Sequence, residues 1–120
     1  MNRYTILCTP EQTKMALELG APIEVIIKNH KGNLITNTMV FNDDLIRIPT
    51  AEQMIGWLEG REEIDEIAPN KRGKDWFYVV YMTGYRSDIE SPENTSYPSR
   101  GEATLAAIDA ALDYLIKNEE

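Results

Sequence analysis

Apolar positions along the chain fall into three helical stripes and several short β-branched or aromatic runs. The first stripe follows Thr9-Pro10-Glu11-Gln12. Thr9 is a good N-cap, Pro10 suits the first helical position, and Gln12 completes a capping box. A helix to about Leu19 is predicted, with Met15, Ala16 and Leu19 on its apolar side. Gly20 supplies the stop and Pro22 prevents continuation. Thr50-Ala51-Glu52-Gln53 repeats the logic and predicts a helix to about Glu59 that buries Met54, Trp57 and Leu58, with Gly60 ending it. Ser99-Arg100-Gly101-Glu102 is a third capping box and opens a helix running to about Lys117. Leu105, Ile108, Leu112 and Leu115 form its stripe, and Glu102, Asp109, Asp113 and Lys117 share its wet side. Ala103, Ala106, Ala107, Ala110 and Ala111 allow close approach of a sheet or of a second helix.

Between the stripes lie the strand signals. Tyr4, Ile6 and Leu7 suit a brief strand. Ile23 to Lys28 and Leu34 to Phe41 are rich in β-branched residues, and the intervening Asn29-His30-Lys31-Gly32-Asn33 reads as the turn of a hairpin. Asn42-Asp43-Asp44 makes a second turn, before a short strand from Leu45 to Ile48. Glu62 to Ile67 is a weak strand or loop, and the polar run Ala68 to Asp75, with Pro69, Asn70 and Gly73, reads as a turn. Trp76 to Thr83 (WFYVVYMT) is the strongest strand signal and predicts a central strand. Gly84 to Pro98 is a loop, with a short edge strand around Tyr85 to Ile89. Runs of strands between isolated helices predict an α+β fold: a mixed or antiparallel sheet of about five strands, about three helices, and the long C-terminal helix packed on the sheet. One globular domain spanning 1–120 suits the 120-residue length.

Charge and cysteine usage narrow the function classes. The formal net charge of −8 argues against a duplex nucleic-acid partner, whose affinity depends on phosphate neutralisation by Lys and Arg. It fits a solvated surface, a basic protein partner, or imitation of a nucleic acid. The single cysteine, Cys8, rules out an intramolecular disulfide and a Cys-rich zinc site, and a reducing compartment fits best. The opening MNRYTILCTPEQ lacks a long apolar run, so no signal peptide is expected, and no stretch approaches a membrane span. The expected location is the cytoplasm, without a membrane partner.

Candidate chemistry is sparse. His30, the one histidine, sits among turn residues. Cys8 precedes a helix N-terminus, yet reads better as a small core residue than as a nucleophile. The pairs Asp43/Asp44, Glu62/Glu63 and Asp65/Glu66 lack calcium-loop spacing and read as solvated faces, as Lys71-Arg72-Gly73-Lys74 reads as a loop tip. No metal, cofactor or catalytic residue is expected, and the protein is not read as an enzyme. The stretch from Trp76 to Arg100 holds six of the ten aromatic residues, with Arg86 and Arg100. Tyr78, Tyr81, Tyr85 and Tyr97 would supply stacking for a planar group. Arg86 and Arg100 would pair with a phosphate, helped by the free N–H groups at the helix that Ser99 opens. Buried strand aromatics and ordinary capping are the alternative explanation of the same residues.

Three phrases, CTPEQTKMALELGAPI, IPTAEQMIGWLE and RGEATLAAIDAALDYLIKN, resemble short proteins encoded by bacteriophages and mobile elements of gut bacteria. The resemblance covers about half the chain and rests on capped amphipathic helices, so it transfers no catalytic residues. It implies action by binding: either sequestration of a nucleotide-type immune signal, similar to viral sponges for cyclic nucleotides, or blocking of a host protein. The final strand, loop and helix are also similar to antitoxins with a β-β-β-α half-RNase H domain, although the glycine-rich phrase before that helix is missing. The leading expectation is a non-enzymatic counter-defence protein that forms a homo-oligomer and sequesters a phosphate-bearing small molecule. The runner-up is an acidic inhibitor, leaning on Asp43/Asp44 and Glu62 to Glu66, that binds a host protein.

Overall fold

The computed structural model describes residues 6–28 and 38–118. The fold is α+β, with helices α1 (Pro10–Glu18), α2 (Ile23–Lys28), α3 (Ala51–Glu59) and α4 (Arg100–Lys117) and strands β1 (Thr38–Phe41), β2 (Asp44–Arg47), β3 (Ile64–Arg72), β4 (Asp75–Met82) and β5 (Ile89–Glu90). The strands divide between two antiparallel sheets rather than forming one: a β1-β2 hairpin and a three-stranded sheet of order β3-β4-β5. The expected turn at His30 and the expected strand residue Tyr4 lie outside the described residues. Leu7 contributes only an isolated bridge to Thr50.

The capping predictions hold locally. Thr9 and Thr50 each accept from the N–H three residues on, and Gln12 and Gln53 return the bond to the cap backbone. At α4 the box is half made. Ser99 caps the Glu102 N–H, but the Glu102 carboxylate takes its bond from the Ser99 hydroxyl instead of the backbone.

Two expectations are corrected. Ile23–Lys28 is a helix, not a strand. Ile23 and Ile27, four apart, are buried together, while Val25 stays 53% exposed. A strand would have put all three on one face. The helix starts just after Pro22, whose carbonyl accepts from Ile26, so burial on a 3.6-residue period overrides the β preference of branched residues. The second correction concerns Ala68–Arg72, which continues β3 instead of turning. Pro69 pairs with Tyr78, and Tyr78 directs its own backbone N–H and carbonyl to Ser91 on the other side. Pro69 therefore sits at a position facing the free edge, where a missing N–H costs nothing. The turn is only Gly73-Lys74, with Gly73 at φ 64° in the first central place. Asn42 and Asp43, at φ 51° and 67°, close the other hairpin in the left-handed conformation that a two-residue turn requires.

Helices α3 and α4 lie on one face of the three-stranded sheet, and α1 packs on α4. Tyr78, Val80 and Met82 of β4 face them, with Ile64 and Ile67 of β3. Ala103, Ala107 and Ala111 are fully buried, which lets α4 lie close to the strands. Ile108, Leu112 and Leu115 fill the remaining space with Met54 and Leu58 of α3. No helix among the described residues is long and apolar enough to cross a membrane.

Candidate functional site

Strand alternation separates the aromatic residues that the sequence places together. Trp76, Tyr78 and Tyr97 share the helix-covered face, since Tyr97 pairs with Trp76. Phe77, Val79 and Tyr81 point to the opposite face, where no described helix packs. Tyr81 is 37% exposed there, and the Arg72 guanidinium lies 4.3 Å from the Phe77 ring centre. Tyr85 is fully exposed in the loop after β4. Arg86, at the same end, bonds to the Thr83 carbonyl and hydroxyl. By strand rise that end is about 20 Å from Trp76. Tyr81, Tyr85 and Arg86 therefore do not meet Tyr78, Tyr97 and Arg100 in one site.

What remains together gathers around α4, which has a cleft on each flank. On the β3 flank, a cleft of about 680 Å³ lies between the first turn of α4, the start of α3 and the β3 edge. Ile6, Ile55, Ile67 and Pro69 give it apolar walls, and Trp76, Arg100 and, from α3, Glu52 also line it. The terminal methyl of Ile6 fills the space beside Gly101 that a side chain there would occupy. The Arg100 guanidinium is 5.9 Å from the Trp76 ring centre, within cation–π reach. Ser99, expected in the site, caps the same helix turn.

On the β5 flank, Tyr78 and Tyr97 meet at 6.1 Å between ring centres, tilted by 38°. Their cleft, about 500 Å³, is shared by Asp109, Asp113, Met15 and Pro92. Burial pushes the Tyr78 phenol pKa up, and the neighbouring Tyr97 and Asp109 push it the same way. A phosphate is unfavourable beside two carboxylates, so these tyrosines are poorly placed for the anion they were expected to stack.

The remaining candidates settle readily. Cys8 is buried, donates to the Thr50 carbonyl, and has its pKa pushed up to about 12 by burial, with Asp109 adding to the effect. It is a core residue and a poor nucleophile. Glu63 pairs with Arg61 at 3.2 Å, which holds its carboxyl below the ordinary value. No group of three His, Cys, Asp or Glu side chains among the described residues is placed to hold a metal ion. Sequence reasoning named Trp76 among the aromatics but passed over it as a ligand residue, and it missed Glu52. The signal for Trp76 was its position opening a strand whose alternate residues are core.

Comparison of the chain with protein-family models, curated proteins and solved structures returns no match. The functional reading therefore rests on the residues themselves.

Proposed function

We propose that the protein acts by binding, and that the β3-flank cleft takes a phosphate-bearing small molecule with a planar ring. One observation carries this reading: the Arg100 guanidinium lies 5.9 Å from the Trp76 ring centre at the first turn of an 18-residue helix, and both residues line a largely apolar cleft of about 680 Å³. The stacking role passes from the tyrosines to Trp76. The ring of the ligand lies against Trp76 and the apolar walls, and its phosphate meets the Arg100 fork and the positive end of the α4 dipole. Glu52 accepts from a hydroxyl or amino group of the ligand. A nucleotide has this combination of groups. Sequestration of a nucleotide signal is the function that this combination of groups suits best.

The test is native mass spectrometry of the protein against a panel of cyclic and linear nucleotides. A ligand mass in fixed stoichiometry is expected, lost in Arg100→Ala and retained in Arg86→Ala. Bare protein across the panel overturns the reading. The same spectra report whether the chain self-associates, as the alanines of α4 led us to expect; of these only Ala106 and Ala110 are partly exposed.

One feature favours the second reading, an acidic inhibitor of a basic host protein. Asp43 and Asp44 stand exposed at the β1-β2 turn, and Asp65 and Glu66 stand exposed on β3, in a chain of net charge −8. That reading requires a complex that dissolves as salt rises, seen in pull-downs across a salt series.

A further inference from the structure

The β5-flank cleft has the opposite polarity and is built from inside the core. Asp109 and Asp113 are one helical turn apart on α4 and both line it. Asp109 is held in place by Gln12, a fully buried side chain whose amide donates to Asp109 Oδ1 at 2.8 Å and to the Leu105 carbonyl at 2.8 Å. Asp113 has Lys117 at 3.0 Å, but that pair is exposed on both sides and exchanges readily with solvent or ligand. Beside the carboxylates, Tyr78 is only 6% exposed, lines the cleft, and has no hydrogen-bond partner for its hydroxyl among the described residues. A phenol whose ring is buried but whose hydroxyl still reaches solvent, next to an anchored carboxylate, is an arrangement that a bound donor completes. The tilted Tyr97 ring supplies a π face, and Met15 and Ala110 supply apolar wall.

We infer that this cleft binds an aliphatic ammonium group carried on an alkyl chain. The ammonium donates to Asp109 and Asp113 and to the Tyr78 oxygen, with the Tyr97 ring beside it. The methylenes lie along Met15 and Ala110. A bare metal ion is a worse fit, because the cleft offers two carboxylates and a phenol and much of its wall is apolar. The site is separate from the Trp76–Arg100 cleft and does not depend on it. Its chemistry has two sources, a free polyamine or a lysine side chain of another protein.

The test is an amide-shift titration of the full chain by NMR at constant ionic strength. Spermidine is the free-polyamine probe, and Nα-acetyl-lysine methylamide is the lysine side-chain probe. Saturable shifts centred on Tyr78, Tyr97, Asp109 and Asp113 are expected with at least one probe, and the stronger binder identifies the source. Asp109→Asn is expected to weaken that binding roughly tenfold, because the anchored charge is lost while the Asn amide oxygen can still accept from Gln12. Asp44→Asn removes the same charge from the hairpin tip and is expected to change nothing. Absence of saturable shifts with both probes overturns the inference. So does equal weakening by the two variants, which would mean general attraction to an acidic protein.

Discussion

Two glutamines occupy the same capping position and differ in what the rest of the side chain does. Gln12 closes the α1 box and also reaches Leu105 and Asp109 on α4, whereas the Gln53 amide nitrogen is buried with no partner among the described residues. Replacing Gln12 by Ala removes its side-chain bonds to the Thr9 N–H, the Leu105 carbonyl and Asp109 from a fully buried position, so we expect a loss of roughly 2–3 kcal/mol. Gln53→Ala removes one cap bond and an orphan donor together, and is expected to cost about 1 kcal/mol or less. Urea midpoints of the two variants check the order. Cys8 gives a pH prediction. Its folded pKa is raised from 9.0 to about 12, so the protonated thiol belongs to the native state. That stability is fully present below 9.0 and is lost as pH rises toward about 12, and Tyr78 contributes in the same direction at its own higher range. Urea midpoints measured from about pH 8 to 11 should fall, and Cys8→Ala should fall less steeply. Both glutamines were legible as caps. Their different reach was not, because the Gln12 contact joins residues 97 apart in the chain.

At the scale of elements, the free edge of β3 shows how the sheet is kept from pairing with another chain. Ile67 turns its N–H outward, where the Glu59 carboxylate of α3 accepts it at 2.9 Å, and Pro69 has no N–H to offer. Glu59→Ala combined with Pro69→Val reopens two edge donors. Sedimentation should then show concentration-dependent association beyond that of the parent chain at the same concentration. Capped helices were the most legible elements, since α1, α3 and α4 each announce themselves by a local cap and a periodic stripe. The misread elements, α2 and the end of β3, are those where a tertiary partner decides. Ile23 and Ile27 choose a helix because the core lies on one side of it. Pro69 is tolerated in a strand because that position faces an edge.

For the whole molecule, the sheet-covering helices among the described residues, α3 and α4, lie on one face, and a cleft lies on each flank of α4. α4 crosses the sheet with an apolar, arginine-lined cleft on one flank and a carboxylate-lined aromatic cleft on the other. The clefts depend on α4 staying seated. Leu112, on the fully buried side of α4, is expected to cost about 2–5 kcal/mol when cut to Ala, read as a drop in thermal midpoint. The candidate site was partly legible. Arg100 and Ser99 were marked by the helix they open. The tyrosines and Arg86 were grouped by proximity in sequence, but strand alternation and an extended β4 pull them to different faces and ends. The most direct measurement uses Trp57→Phe, which leaves Trp76 as the single tryptophan. Its fluorescence is followed during titration with the nucleotide that native mass spectrometry selects. We predict saturable quenching of Trp76 that disappears in the Arg100→Ala background. Binding that leaves Trp76 emission unchanged, or quenching that survives the loss of Arg100, would contradict the assignment of this cleft.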